Sequence, residues 1–431
     1  MTKEEQLSYI GKLQLFGRDA KLYIVIAFLG AFSWGISGVI FNLYLRDAGF
    51  PEDFIGFFLS VSMFATAFIA FVAGLFTDRS SRKRIILVAN VIGFLVLVVQ
   101  YTTLNPMGLI FSQIFLGLSS AFREVAWSPY VTDISSDRER AHLFGVGSGV
   151  SLLGVFIGNI IGGSMPQVFA GMLGIGPSDP LVIPYRFTLW LSLIPSLISI
   201  VLISRMTSDT PSFVSAGIAL RHVKNWRFIG KYTSSVASIG LGAGMIVMFF
   251  NLFFTHEFPI DSQLLGIIFG VNTIILSAGN FLAPALADRI GKVRTVVLTE
   301  ALSIPFLLTL SYADTLQLAV LGYVARNVLM NMSGPVSNAF FMEGLTKEER
   351  ATAVGVVRTA DSFVRAIAAN IGGLLLAIGL YRLPYVLVSG LYVLGIMVFF
   401  GFFKNKEAEL KLRSNVELSI EEPPESSVDA T

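Results

Sequence analysis

Gly74-Leu75-Phe76-Thr77-Asp78-Arg79-Ser80-Ser81-Arg82-Lys83-Arg84 and Pro284-Ala285-Leu286-Ala287-Asp288-Arg289-Ile290-Gly291-Lys292 say the same thing twice, 210 residues apart. Each closes an apolar run on an Asp-Arg pair, passes through a short basic turn and enters a new apolar run. The register extends outward. Gly56 recurs as Gly266, Asp133 as Glu343, Arg140 as Arg350 and Gly145 as Gly355. Phe41-Asn42-Leu43 recurs one position off as Phe250-Asn251-Leu252, and Asn159-Ile160-Ile161-Gly162-Gly163 has a partner in Asn370-Ile371-Gly372-Gly373. Charged turn residues that repeat with the apolar runs point to a duplicated unit.

Composition says what kind of unit it is. Of 431 residues, 54% are hydrophobic and only 14% charged, against roughly a quarter charged in an average soluble chain. So little charge leaves no room for a water-facing surface, which excludes soluble enzymes and nucleic-acid binders. There is no cysteine and there are three scattered histidines (His142, His222, His256), so thiol chemistry, disulfides and a metal site are not expected. A bilayer core of ~30 Å needs ~20 apolar residues per helix. Twelve such runs are read at 23–45, 54–76, 85–103, 107–131, 142–169, 185–205, 229–254, 263–287, 294–312, 316–341, 351–380 and 384–403. The first has no cleavage pattern behind it and is read as a span, not a signal peptide.

The fold expected is therefore an all-α membrane protein of two parallel six-helix halves with pseudo-two-fold symmetry. Residues 1–22 form an N-terminal segment, 23–205 the first bundle, 206–228 a central loop, 229–403 the second bundle and 404–431 a tail. The tail (EEPPESSVDAT) has the composition of a disordered segment. Lys and Arg set the direction. With the N-terminus inside, 24 fall on the cytoplasmic side, and only Arg46, Arg186 and Arg382 fall outside. Both ends are then expected in the cytoplasm of a multi-pass protein of the cell (inner) membrane. Two like-oriented halves suit a transporter whose site lies between them at mid-membrane.

The doubled loop resembles the signature of the major facilitator superfamily, roughly G-x-L-A-D-R-x-G-R-[RK]. Ser81 stands where its second Gly is usual, and Pro284 where the second copy's leading Gly belongs. The resemblance covers about 380 residues. It implies secondary active transport of a small molecule by rocker-switch alternating access, with no cofactor, energised by an ion or solute gradient, protons first. A monomer is expected. No G-x4-G-K-[ST] nucleotide loop is present.

Gly74, Asp78, Arg79, Arg82, Lys83 and Asp133, with Asp288, Arg289, Gly291, Lys292 and Glu343 in the second half, are the expected gating set. Asp78 can face a positive helix N-terminus, by resemblance that of span eleven. Arg82 or Lys83 can pair with Asp133, and Lys292 with Glu343. These contacts are expected only when the inner side is closed. The alternative is a basic loop that merely sets topology. Gly145, Gly154, Gly158, Gly162 and Gly163 are similar to the antiporter motif G-x8-G-x3-G-P-x2-G-G, with Asn159 in place of Pro, and are expected to pack the two halves together; the resemblance implies antiport, with small-residue packing of no bearing on transport direction as the alternative.

Charged residues inside a bilayer cost ~2.5–3.5 kcal/mol on insertion scales and are functional candidates. Seven fall within the runs: Arg123, Glu124, Glu300, Arg326, Arg358, Asp361 and Arg365. Arg358, Asp361 and Arg365 share one helix face. Counted from Ala351, Asp361 lies ~15 Å deep and Arg365 ~21 Å. In the superfamily, spans one, four, seven and ten line the cavity, which implies that Arg123 or Glu124, Arg326 and the span-eleven trio share it. Arg326 and Arg365 would hold an anionic group, and Asp361 or Glu124 would take a proton or release an arginine. Static ion pairs are the alternative. Glu300 is expected to snorkel to the surface. The substrate expected is a small organic anion or zwitterion. Two alternatives stay open, a proton-coupled multidrug exporter and a non-transporting receptor or lipid scramblase on the same scaffold. Gln113 stands where drug exporters carry an Arg four residues before a Gly, here Gly117.

Overall fold

The computed structural model describes residues 16–78, 80–135, 137–176, 179–207, 224–407 and 409, and these are helical throughout their regular structure. The first six spans are Arg18–Asp47, Glu52–Asp78, Arg82–Thr102, Pro106–Asp133, Asp137–Leu173 and Val182–Arg205. Span seven runs from Trp226 to Ile246, tightens into a 3-10 turn over Val247–Phe249, and resumes as Phe250–Glu257. Spans eight and nine are Ser262–Ile290 and Lys292–Tyr312. Span ten is broken into Leu316–Asn331 and Gly334–Glu343, and spans eleven and twelve are Lys347–Ala377 and Leu383–Phe403.

Eleven of these spans are long and apolar enough to cross a membrane; span ten is the twelfth, its two pieces together making the crossing. Its break falls at Met332-Ser333, before a Pro335 that no helix interior accommodates without losing a backbone hydrogen bond. Turns are set by local chemistry. Asn105 and Asp261 cap spans four and eight through the N–H groups of Gly108 and Leu264, and Gly291 takes the positive φ (+93°) of the turn between spans eight and nine.

Twelve crossings put the start of span one, Arg18, and the end of span twelve, Phe403, on one side, here called the terminal side; the other is the distal side. Within the halves, span one packs on five and six, and span seven on eleven and twelve. Between the halves, span two packs on eleven and span five on eight, pairings that the internal repeat exchanges. One apolar core joins both halves on the distal side, running from Val39, Leu43 and Phe58 to Phe249, Phe253 and Leu265. Toward the terminal side each half keeps a core of its own, around Tyr130 and Leu143 in the first and Phe340 and Phe403 in the second. Large apolar side chains such as Leu95, Phe111, Ile194 and Leu197 stay exposed on the outer surface, as a lipid-facing wall requires.

Candidate functional site

The distal closure is built from backbone and amides. Asn42 Nδ2 donates to the Met248 carbonyl at 2.7 Å and to Asn251 Oδ1 at 3.1 Å, and Asn251 Nδ2 donates to the Val39 carbonyl at 3.1 Å. Around them Arg46 donates to Thr255 Oγ1 (2.8 Å), the Tyr381 hydroxyl to Glu52 (2.5 Å) and Ser262 Oγ to the Gly163 carbonyl (2.9 Å). All cross from one half to the other. In two places the helices touch backbone to backbone. A Cβ at Gly56 would lie 2.6 Å from the Ala369 carbonyl and 2.9 Å from Gly373 Cα. One at Gly163 would lie 2.4 Å from the Ser262 carbonyl and 2.9 Å from Gly266 Cα. The repeat maps Gly56 onto Gly266 and Gly163 onto Gly373, so the two contacts are images of each other.

This corrects the expectation for the span-five glycines. Gly154, Gly158 and Gly162 sit against Phe28, Phe32 and Ile36 of span one, inside the first half, and Gly145 faces open space. Gly163 alone of the five meets the other half. The reason is rotation: residues four apart share a face, and Gly163 is turned about 100° from Gly162.

At the terminal side Arg82 pairs with Asp133, and Lys292 with Glu343. Each pair ties two ends of one half together, and both exist with the distal side shut. Lys83 donates to the Met206 carbonyl instead of to Asp133. Asp288 and Arg289 are exposed at the end of span eight, and Gly291 is the N-cap of span nine. Arg79 and the side-chain positions of Gly74 and Asp78 lie outside the described residues.

The charged groups inside the spans divide into two places. Arg365 Nε donates to Asp361 Oδ2 at 2.7 Å, and this pair is part-buried, with Asp361 Oδ1 lacking a partner among the described residues. Span seven admits the pair by omitting side chains. A Cβ at Gly240 would strike Asp361, and one at Gly244 would strike the Arg365 backbone. Arg358, on the same face of span eleven, reaches across to Glu124 of span four at 4.0 Å, both well exposed. Arg123 turns the other way, toward Gly93 of span three, and donates to Ser120.

Arg326 is elsewhere. It is 1% exposed, donates through Nη2 to the Tyr392 hydroxyl, and lies 5.4 Å and 5.7 Å from the ring centroids of Tyr392 and Phe250. Its Nε and Nη1 have no partner among the described residues. Span seven stands between the two places, since Gly242, two residues from Gly240 and Gly244, faces Tyr392 and Val388 of span twelve. Arg326 and Arg365 therefore do not share one cavity here, as the sequence led us to expect. Residue counting gives depth along a helix and leaves its rotation open. Glu300 is also corrected. It does not snorkel but is 7% exposed, inside the second half.

Three features went unread in the sequence. Gly240-Leu241-Gly242-Ala243-Gly244 thins span seven where charged and aromatic groups flank it, and its alternating glycines were the available signal. Tyr392 could not be told from other aromatics. Glu349 accepts hydrogen bonds from the N–H groups of Lys224, Asn225 and Thr346 and from Asn225 Nδ2, fastening spans seven and eleven together at the terminal side.

Comparison with known proteins places this architecture. A bacterial homolog of the human lysosomal transporter Spinster, solved in an inward-facing and occupied conformation, superposes with a TM-score of 0.73 at 13% identity, covering 88% of this chain and 95% of that one. The nucleoside transporter NupG gives 0.71 at 16% identity (90% and 100% covered), and a D-xylose–proton symporter 0.71 at 14% (91% and 98%). No curated protein sequence matches. The Major Facilitator Superfamily profile matches residues 23–233 and 232–426, nearly the whole chain, and the protein is a multi-pass membrane transporter belonging to that superfamily.

Proposed function

We propose that the protein carries a small organic anion or zwitterion by rocker-switch alternating access. The observation that supports this reading most is the Asp361–Arg365 pair, set part-buried at mid-membrane beside the seam between the halves. A carboxylate that already holds an arginine can be displaced by a substrate carboxylate of the same geometry, and Arg365 then passes from an internal partner to the solute. Arg358 and Glu124, across the seam from each other, would sense the same exchange. Arg326 would join when span seven bends at its 3-10 turn and thin glycine stretch. The symmetric glycine contacts serve as the two bearings about which one half rocks on the other.

In this reading the terminal side is cytoplasmic, the form described faces inward, and the work is done by a monomer with no covalent step and no cofactor. A gradient, protons first, supplies the energy. A D-xylose–proton symporter among the structural neighbours is consistent with protons. A drug exporter is less well supported, because the groups at the seam are charged. A receptor or scramblase has no use for a gating loop carried twice, at Asp78 and again at Asp288.

The test is uptake into proteoliposomes of labelled lactate, alanine, uridine, xylose and a lipophilic cation, with and without a pH gradient. Lactate or alanine should accumulate, and Arg365→Ala should abolish it. Movement of the lipophilic cation alone, or of nothing, would overturn the proposal.

A further inference from the structure

Span nine carries a polar stripe that none of the roles above uses. Thr295, Thr299 and Ser303 are buried one turn apart, beginning at the terminal-side end of the helix, where Thr295 donates to the Gly291 carbonyl. Glu300 lies beside this stripe, about 12 Å along the helix from Lys292. Its Oε2 is buried with no hydrogen-bond partner among the described residues. Ser303 donates to the Glu300 carbonyl and also approaches Met330 Sδ at 3.5 Å, two residues before the break in span ten.

Span nine packs on spans eight, ten and twelve. The titratable or charged side chains on those elements are Asp288 and Arg289, Tyr323, Arg326 and Glu343, and Tyr385 and Tyr392. None of them is a hydrogen-bonding or ionic partner of Glu300 among the described residues. From span seven, Tyr232 is within electrostatic range, but its hydroxyl is engaged with Ser337 Oγ at 2.8 Å. A carboxylate stripped of water and cation is expensive in such a place, and the packing suits the neutral acid. Glutamine would fill the same volume at less cost, whereas glutamate puts a group able to lose a proton on the buried side of span nine.

Resting on the transporter reading above, we infer that Glu300 is the proton site of this carrier, loaded and emptied from the terminal-side end of span nine as span ten shifts at Met332-Ser333. The neutral acid holds the distal-shut form; ionisation releases it.

The test needs no solute, so it stands apart from the identity of the substrate. Val39, fully buried at the distal closure, is replaced by cysteine in a chain that has none, and its labelling from the distal side is followed against pH. Labelling should rise with pH, lose that dependence in Glu300→Gln, and keep it in Glu300→Asp. Infrared difference spectra of the wild-type protein should show a carboxylic-acid carbonyl band that disappears with rising pH and is missing from Glu300→Gln. Labelling independent of pH in the parent, or unchanged pH dependence in Glu300→Gln, would overturn the inference. Should Glu300→Gln not fold, the absence of a titrating carboxylic-acid band in the wild-type protein would overturn it as well.

Discussion

Asn42 and Asn251 hold the same position in the two repeats, and each donates its amide to the carbonyl three residues before the other, at Met248 and Val39. The pair is a two-fold lock read out in hydrogen bonds. Both amides are buried, so removing one takes from a carbonyl its donor in the other half and breaks the bond between the two amides. Such a loss costs ~1–3 kcal/mol, or about 5- to 150-fold in an equilibrium. Asn42→Ala and Asn251→Ala should each shift the carrier by that order toward the distal-open form. The measurement is the labelling rate of the Val39→Cys reporter. Equal rates with and without the alanine would mean that the apolar core closes the distal side unaided.

The glycine contacts make a prediction with its own control. An added methyl at Gly56 or Gly163 meets a carbonyl oxygen at 2.6 or 2.4 Å, too close to survive without separating the helices. Overpacking of this kind costs about 1–3 kcal/mol. Because the contact joins the halves, Gly56→Ala and Gly163→Ala should weaken the distal-shut form in particular. Gly158→Ala strikes span one inside the first half and should lower thermal stability without changing which side is open. Gly145→Ala meets nothing and should be neutral or slightly stabilising, since alanine is favoured over glycine in a helix by ~1 kcal/mol. Distal labelling and thermal unfolding of the four variants separate these outcomes.

How far the sequence could be read follows from which quantities are one-dimensional. Span number, the internal repeat and the pairing of Lys292 with Glu343 depend on position along the chain, and they were legible. Position within a span was legible for the same reason, and Arg326 and Asp361 do both lie within their spans. Azimuth was not. A residue is turned by 100° from its neighbour, so an uncertainty of two residues in helix packing decides whether Arg326 meets Arg365 or Tyr392. Gly162 and Gly163 show the same limit, one buried on its own half and the other on the opposite half. The halves of span ten were read as one helix because the apolar pattern runs through Met332-Ser333 unbroken. Glu349 escaped notice because its partners arrive from a loop 125 residues away.

Glu349 gives the pH dependence its sign. Burial pushes its carboxyl up, but the hydrogen bonds from the Asn225 side chain and the N–H groups of Lys224, Thr346 and Asn225 outweigh that and hold it at about 2. An unfolded glutamate titrates near ~4.3. A depressed folded value means stabilisation that is complete above ~4.3 and is lost as pH falls toward 2. Glu349→Gln should therefore lower stability by roughly 1–3 kcal/mol at neutral pH. The gap between variant and wild type should close as pH drops through that window. Thermal unfolding in detergent across the range checks it, and a gap that stays constant would show that shape, not charge, makes the fastening.

Arg326 separates stability from function most cleanly. An arginine buried with two nitrogens unpartnered among the described residues is a poor contributor to folding, since its two ring contacts return only about 0.5–2 kcal/mol each against a large desolvation cost. Methionine fills similar space with no charge to solvate. Arg326→Met should leave the thermal midpoint unchanged or higher while abolishing uptake of lactate or alanine. Arg326→Lys should not restore transport, because an ammonium lacks the planar fork that engages Tyr392 and a carboxylate together. If Arg326→Met instead unfolds the protein, and uptake merely tracks the folded fraction, then Arg326 braces spans seven, ten and twelve and the solute never reaches it.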